Sequence, residues 1–161
     1  MPEIRPETPA DFPAIHALVA ACFPTPAEAR LIDALRAAGR LSLSLVAVED
    51  GQVVGHIGFS PMTGLDGGLG LAPLAVHAGH RRRGIGAQLT RAGLAACAEL
   101  GARIVVVLGD PAYYSRFGFA PAQRWGLRGE YGGGDAFQAL ELVPGAIRAG
   151  LIRYAPEFAA L

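Results

Sequence analysis

Three consecutive arginines, Arg81, Arg82 and Arg83, run directly into Gly84-Ile85-Gly86, where an apolar stretch gives way to a helical one. Glycine at 84 and 86 lets the backbone approach a ligand closely, and the free amides of a helix start bind anionic oxygens. A pyrophosphate fits such a turn. The guanidiniums beside it add charge-assisted contacts, useful where the ligand also carries a separate phosphate monoester. A tight turn with a solvated basic cluster is the plainer alternative.

Other chemistry-bearing residues are sparse. Glu28, Glu49 and Asp110 are candidate bases by type, and each also fits a local role: helix cap, hairpin residue and turn residue. Of the four histidines, His16, His56, His77 and His80, none has metal-ligand spacing to acids or cysteines. No metal is expected. His77 follows Val76 in the loop before the arginines, which sets a base role beside a structural one. Cys22 and Cys97 are too far apart for a CxxC pair and read as buried free thiols.

The chain has no Lys and no Asn, which excludes Schiff-base chemistry, the phosphate-loop lysine motif and Asn-linked glycosylation. Its 14 Arg balance 14 Asp plus Glu, so no global field favours nucleic acid or membrane. The charged, proline-rich start MPEIRPETPADF is unlike a signal peptide, and no stretch reaches the ~18 apolar residues of a membrane span. A cytoplasmic location is expected. At 161 residues the chain is expected to form one domain over 1–161, with a core drawn from Leu, Val, Ile and Phe rather than from its 30 Ala and 22 Gly.

The elements that must position the turn can be read in order. Ile4 to Pro6 gives a short strand; Thr8, Pro9 and Asp11 open a helix to about Cys22. Thr25 and Glu28 read as a second capping box, followed by a helix stopped at Gly39. Leu41 to Glu49 and Val53 to Phe59 form a hairpin about Asp50-Gly51, and Leu69 to Val76 is a third strand. Pro73 cannot donate a ladder hydrogen bond, so this strand should bulge or part from a neighbour, or simply end early. Gly84 to Leu100 is a helix capped by Gly101; Arg103 to Leu108 is a strand buried on both faces. A short helix over Pro111 to Phe117, a long Gly-rich loop over Gln123 to Asp135, and strands over Ala136 to Val143 and Leu151 to Tyr154 complete the reading.

This order, together with Arg81-x-x-Gly84-x-Gly86 between strand and helix and the closing Tyr114-Ser115-Arg116-Phe117-Gly118-Phe119, resembles the GNAT superfamily of N-acetyltransferases over most of the chain. The competing Rossmann fingerprint would need glycine where Leu89 stands, and the hairpin at 41 to 59 fits a doubly wound sheet poorly. The resemblance implies a mixed α/β fold of GNAT type: a central, mostly antiparallel twisted sheet with one parallel, splayed strand pair, flanked by helices.

It also implies acetyl-CoA as cofactor and a small-molecule or peptide amine as acceptor, attacked directly in a ternary complex, with a homodimer compatible. By resemblance Leu74, Ala75 and Val76 contact the pantetheine arm, and one of these amides could hold the developing oxyanion. Arg81, Arg82, Arg83, Gly84, Ile85, Gly86 and Ala87 hold the phosphates, and Phe117 completes the cofactor set. Tyr114, four residues before Gly118, matches the family's acid for the leaving thiolate; adjacent Tyr113 is the alternative.

The sequence departs from the family pattern in lacking an Asn before the short helix and an acid in strand 69 to 76, where many relatives place a base. A non-catalytic acyl-CoA-binding module and a nucleotide-binding protein remain the rival readings. The acceptor side is expected from residues 22 to 40, 61 to 68 and 123 to 135. Their Arg36, Arg40, Arg124, Trp125, Arg128 and Tyr131 stand beside Asp66, Glu130 and Asp135, with no single charge preference.

Overall fold

The computed structural model describes residues 1–161. Strand β1 (Glu3–Pro6) is followed by a 3₁₀ turn (Pro9–Asp11) and two helices, α1 (Phe12–Cys22) and α2 (Ala27–Ala37). Then come β2 (Leu43–Glu49), β3 (Gln52–Pro61), β4 (Gly68–Val76), helix α3 (Ile85–Glu99) and β5 (Ile104–Leu108). The short helix α4 (Pro111–Tyr114) leads to β6 (Ala120–Pro121), β7 (Leu127–Gly129), β8 (Phe137–Glu141) and β9 (Gly150–Ile152), and a 3₁₀ turn (Pro156–Ala160) ends the chain.

Seven strands form one sheet in the order β1-β2-β3-β4-β5-β8-β6. Every neighbouring pair is antiparallel except β4 with β5, which are linked by the α3 crossover. That parallel pairing covers only Gly68 to Leu71 against Ile104 to Val107. Beyond Leu71 the two strands part, as Pro73 led one to expect, and the parting creates the gap on which the site is built.

Alternating strand residues supply both faces of the sheet. Leu45, Ala47, Ile57, Phe59, Val105 and Val107 pack beneath α3 with Ile85, Leu89 and Cys97. On the opposite face Val46 and Ala75 meet Ile15, Val19 and Ile32 of α1 and α2. Helix α3 comes so close that a Cβ on Gly93 would lie 2.6 Å from the Phe59 ring. The hairpin signal is realised as expected: Asp50 and Gly51 have φ of 52° and 75°, the handedness that a tight two-residue turn requires.

Two expectations fail. The span 123 to 135 is not one loop: Leu127–Gly129 pairs in parallel with Gly150–Ile152 as a separate two-stranded sheet over a second core of Met62, Ile104, Phe137 and Ile147. Three-residue strands set among glycines carry too little alternation to be read from sequence. The Thr25 capping box is also absent. Helix α2 takes Pro26 as its N-cap, which has no N–H for Glu28 to receive, and Thr25 Oγ1 accepts only from the Ala27 amide, at 3.3 Å. Glu28 is thereby released for something else. None of the helices is long and apolar enough to cross a membrane.

Candidate active site

The site begins at the end of β4. The His77 amide donates to the Val54 carbonyl at 2.8 Å, and the register sets Ala75 against His56 and Leu74 against Ile57. Hydrogen-bonded pairs alternate along an antiparallel ladder. Leu74 and Val76 therefore turn their backbone groups away from β3, toward the side from which β5 has parted. Ala75 does the reverse: its backbone belongs to the β3 ladder, and its side chain, 2% exposed, packs between α1 and α2. The expected cofactor contact from Ala75 is thus replaced by a core role. The Val76 carbonyl is already occupied, accepting from Arg81 Nε at 3.2 Å and from Cys22 Sγ at 3.3 Å.

Below this strand end, Gly84 caps α3 in the left-handed conformation, φ 79°, so the amides of Ile85, Gly86 and Ala87 open the helix without a side-chain cap. They line a cavity of about 240 Å³ with Val76, His80, Arg81, Arg82, Tyr113 and Arg116. A Cβ on Gly86 would meet the Tyr113 hydroxyl at 2.8 Å, so glycine is what keeps this cradle open. An anion of pyrophosphate size suits it: helix-start amides on one side, guanidiniums on the other.

Arg83 is not among these walls. Its Nη2 lies 2.8 Å from Glu49 Oε1 at the end of β2, and that hydrogen bond holds the Glu49 carboxyl below its ordinary range. Phe117 is also outside the cavity wall. It packs edge-on against Tyr113, centroids 5.4 Å apart, with Arg91 over its ring, and so steadies Tyr113 rather than forming the cradle. Arg116, whose guanidinium lies 4.7 Å from the Tyr113 centroid, takes the place foreseen for Arg83.

The gap between β4 and β5 continues the cradle. Tyr113 belongs to both walls, and the gap, about 330 Å³, is bordered further by Pro73, Leu74, Val107, Tyr114 and Glu28. Tyr114 is only 9% exposed; burial, with a smaller effect of Tyr113, pushes its phenol up to about 12. Glu28, Leu71, Ala72 and Leu108 border both the gap and a third cavity, about 430 Å³, walled further by Tyr131, Tyr154 and Phe158. Cradle, gap and far cavity thus adjoin in series.

The three candidate bases now separate. Glu49 is paired with Arg83, and Asp110 caps α4 by accepting from the Ala112 amide at 3.0 Å. Glu28 alone faces the groove, with Oε1 buried and unpartnered. His77 accepts from the Gly79 amide at 3.0 Å and packs on His80, a turn-forming role.

The sequence profile of the acetyltransferase (GNAT) domain matches residues 3–122. The chain belongs to the GNAT acetyltransferase family. It is 44% identical, over 96% of its length and 97% of the relative's, to a protein of Escherichia coli K12 named uncharacterised N-acetyltransferase YhbS. The crystal structure of the E. coli YhbS protein in complex with CoA superposes with a TM-score of 0.93 at 43% identity, covering 98% of this chain and 92% of that one. A GNAT acetyltransferase of Brucella melitensis in complex with acetyl-CoA gives 0.83 at 38% identity, covering 98% of both chains.

Sequence reasoning about this GNAT chain overlooked Arg116, although it stands inside the recognised Tyr114 to Phe119 motif. It also overlooked Tyr154 and Phe158. Arg36 and Arg40, expected on the acceptor side, are committed to Glu7 and Glu157.

Proposed function

We propose that residues 1–161 act as one acetyl-CoA-dependent N-acetyltransferase domain that moves an acetyl group to a primary amine by direct attack, with both substrates bound at once. The observation that carries this reading is the series of adjoining cavities, with a phosphate-type cradle at one end, freed strand amides in the middle and a cavity beyond. An open cavity beyond the gap favours a catalytic domain over a module that only binds the cofactor.

Arg81, Arg82, Arg116 and the amides of 85 to 87 would hold the phosphates, and the backbone of Leu74 and Val76 would take the pantetheine arm. Bound acetyl-CoA supplies the activated acetyl thioester. The freed amide of Leu74 or Val76 stands where an oxyanion would be stabilised. Tyr114 serves the departing thiolate. With its phenol near 12 against a thiol of about 8.5, complete proton transfer would be uphill by about 5 kcal/mol, so the hydroxyl acts chiefly as a hydrogen-bond donor. Direct attack also suits the thiols: Cys97 is buried with its thiol pushed up to about 12, and Cys22 is engaged with the Val76 carbonyl.

Thermal melting tests the binding half of this reading. CoA at a hundredfold over its dissociation constant adds about 2.7 kcal/mol of stability; a melt raised by ATP or NAD but not by CoA would refute the reading. Initial-rate plots with acetyl-CoA and an amine should intersect, whereas parallel lines would exclude direct attack.

A further inference from the structure

The far cavity holds an unusual combination. Its lining is almost wholly apolar, yet two of its lining residues, Glu28 and Tyr154, each carry a polar atom buried without any partner, Oε1 and Oη respectively. A buried polar atom left unpaired costs about 1–3 kcal/mol, a cost that a ligand group reaching it would relieve. Glu28 stands at the neck, bordering both this cavity and the thioester gap, while Tyr154 borders the far cavity alone. The two residues therefore set an order from gap to far cavity: a cationic group near the gap, an apolar body, then a hydrogen-bonding group.

Volume and charge narrow the occupant. About 430 Å³ is the size of a small-molecule pocket. Glu28 is the one acidic side chain among its walls, and no arginine is among them. A polyamine or aminosugar would bring several cations to a single carboxylate, and an amino acid would bring a carboxylate to no cation. The far wall is aromatic: Tyr131 stacks on Tyr154 at 5.5 Å between centroids, and Phe158 lies 4.9 Å from Tyr154, leaving edges and faces against which a further ring can pack.

We propose that the acceptor is a small monoamine with a compact aryl or similarly apolar body and one polar group at its far end, Glu28 receiving the amine and the Tyr154 hydroxyl the polar group. This rests on the acetyl-transfer reading. In the reaction the ammonium gives one proton to Glu28, freeing the nitrogen lone pair. The C–N bond then forms as the C–S bond breaks. The nitrogen loses its second proton, the thiolate gains one, and one proton is released for each amide made.

Two readouts test the assignment. Calorimetry on the CoA-loaded protein should show tyramine and phenethylamine binding, with Glu28→Gln weakening both at least tenfold while CoA affinity stays within twofold. Tyr154→Phe should weaken tyramine several-fold and leave phenethylamine unchanged, which a merely structural role would not do. In thiol-release assays both arylalkylamines should exceed spermidine, lysine and a lysine peptide in kcat/KM, and Glu28→Gln should lower kcat/KM by roughly a hundredfold. Binding that depends on Glu28 without turnover of any amine would support the cavity assignment and refute acetyl transfer. Preferred turnover of spermidine or the peptide, or indifference of binding to Glu28→Gln, would overturn the assignment and leave acetyl transfer standing.

Discussion

His56 Nε2 lies 2.8 Å from Ser44 Oγ between two central strands, and the same serine oxygen donates to Glu7 at 2.5 Å. A carboxylate only accepts, so the single serine proton goes to Glu7 and His56 must carry its hydrogen on Nε2. Its Nδ1 is left buried and unpartnered. Arg36 closes the chain by forking Glu7 with two bonds of 2.9 Å.

This arrangement sets an acid sensitivity. Burial lowers the His56 pKa from 6.5 to about 4, with Glu7 opposing and Arg36 assisting. The unfolded chain then takes up the proton first, so stability is full above about 6.5 and declines by about 3 kcal/mol as pH falls toward 4. Urea unfolding at pH 7 and pH 4.5 should show this decline in the wild type and a flatter one in His56→Gln. Equal declines would exclude His56 as the cause. Glu7 and Asp11 act in a lower window: Arg5 holds Asp11 well below the usual carboxylate range, and for Glu7 the bonds from Arg36 and Ser44 outweigh burial. Their contributions are full above the ordinary values, 4.5 for Glu7 and 3.8 for Asp11, and fade as pH falls through and below them.

Gly86→Val should close the cradle. The added branch meets the Tyr113 hydroxyl and approaches Val76, while the residue sits at a helix start that tolerates a side chain. CoA affinity, measured by calorimetry, should fall at least tenfold with the apo melting temperature little changed. Retained affinity would mean that the phosphates lie elsewhere.

Among the arginines, Arg82→Ala and Arg116→Ala should each weaken CoA several-fold, with a reduced salt dependence of binding. Arg83→Ala should change it less than twofold, because that side chain is turned to Glu49. A larger loss at Arg83 would show that the Glu49 pair opens when the ligand arrives.

For the adjacent tyrosines, Tyr114→Phe should lower turnover by roughly a hundredfold with acetyl-CoA binding nearly unchanged. Tyr113→Phe should affect cofactor binding more than turnover, since its hydroxyl reaches Gly86 in the cradle. The opposite pattern would move the thiolate-facing role to Tyr113.

Much of this molecule is legible from short-range chemistry. Asp50-Gly51 marks the hairpin, Gly84 the helix start and Pro73 the parting of β4 from β5, because each is a local backbone requirement. What escaped reading depends on distant partners. Arg83 differs from Arg82 only through Glu49, far away in sequence. Glu28 has the spacing of a capping residue, and only the displacement of the N-cap to Pro26 turns it into the groove. Tyr154 acquires its place from Glu130, whose Oε1 receives its amide at 2.6 Å.

The match to the shared family profile ends at residue 122, and the small β7–β9 sheet lies wholly beyond it. So do Tyr131, Tyr154 and Phe158, whereas every residue of the cradle lies within it. On the proposed reading the donor's cradle is written wholly before residue 122, while the acceptor's chamber joins Glu28, Leu71, Ala72 and Leu108 from that stretch to an aromatic wall from beyond it. Changes after residue 122 can reshape one chamber of the groove while the other keeps its fit, so related proteins can diverge in what they acetylate without relearning how to hold the donor.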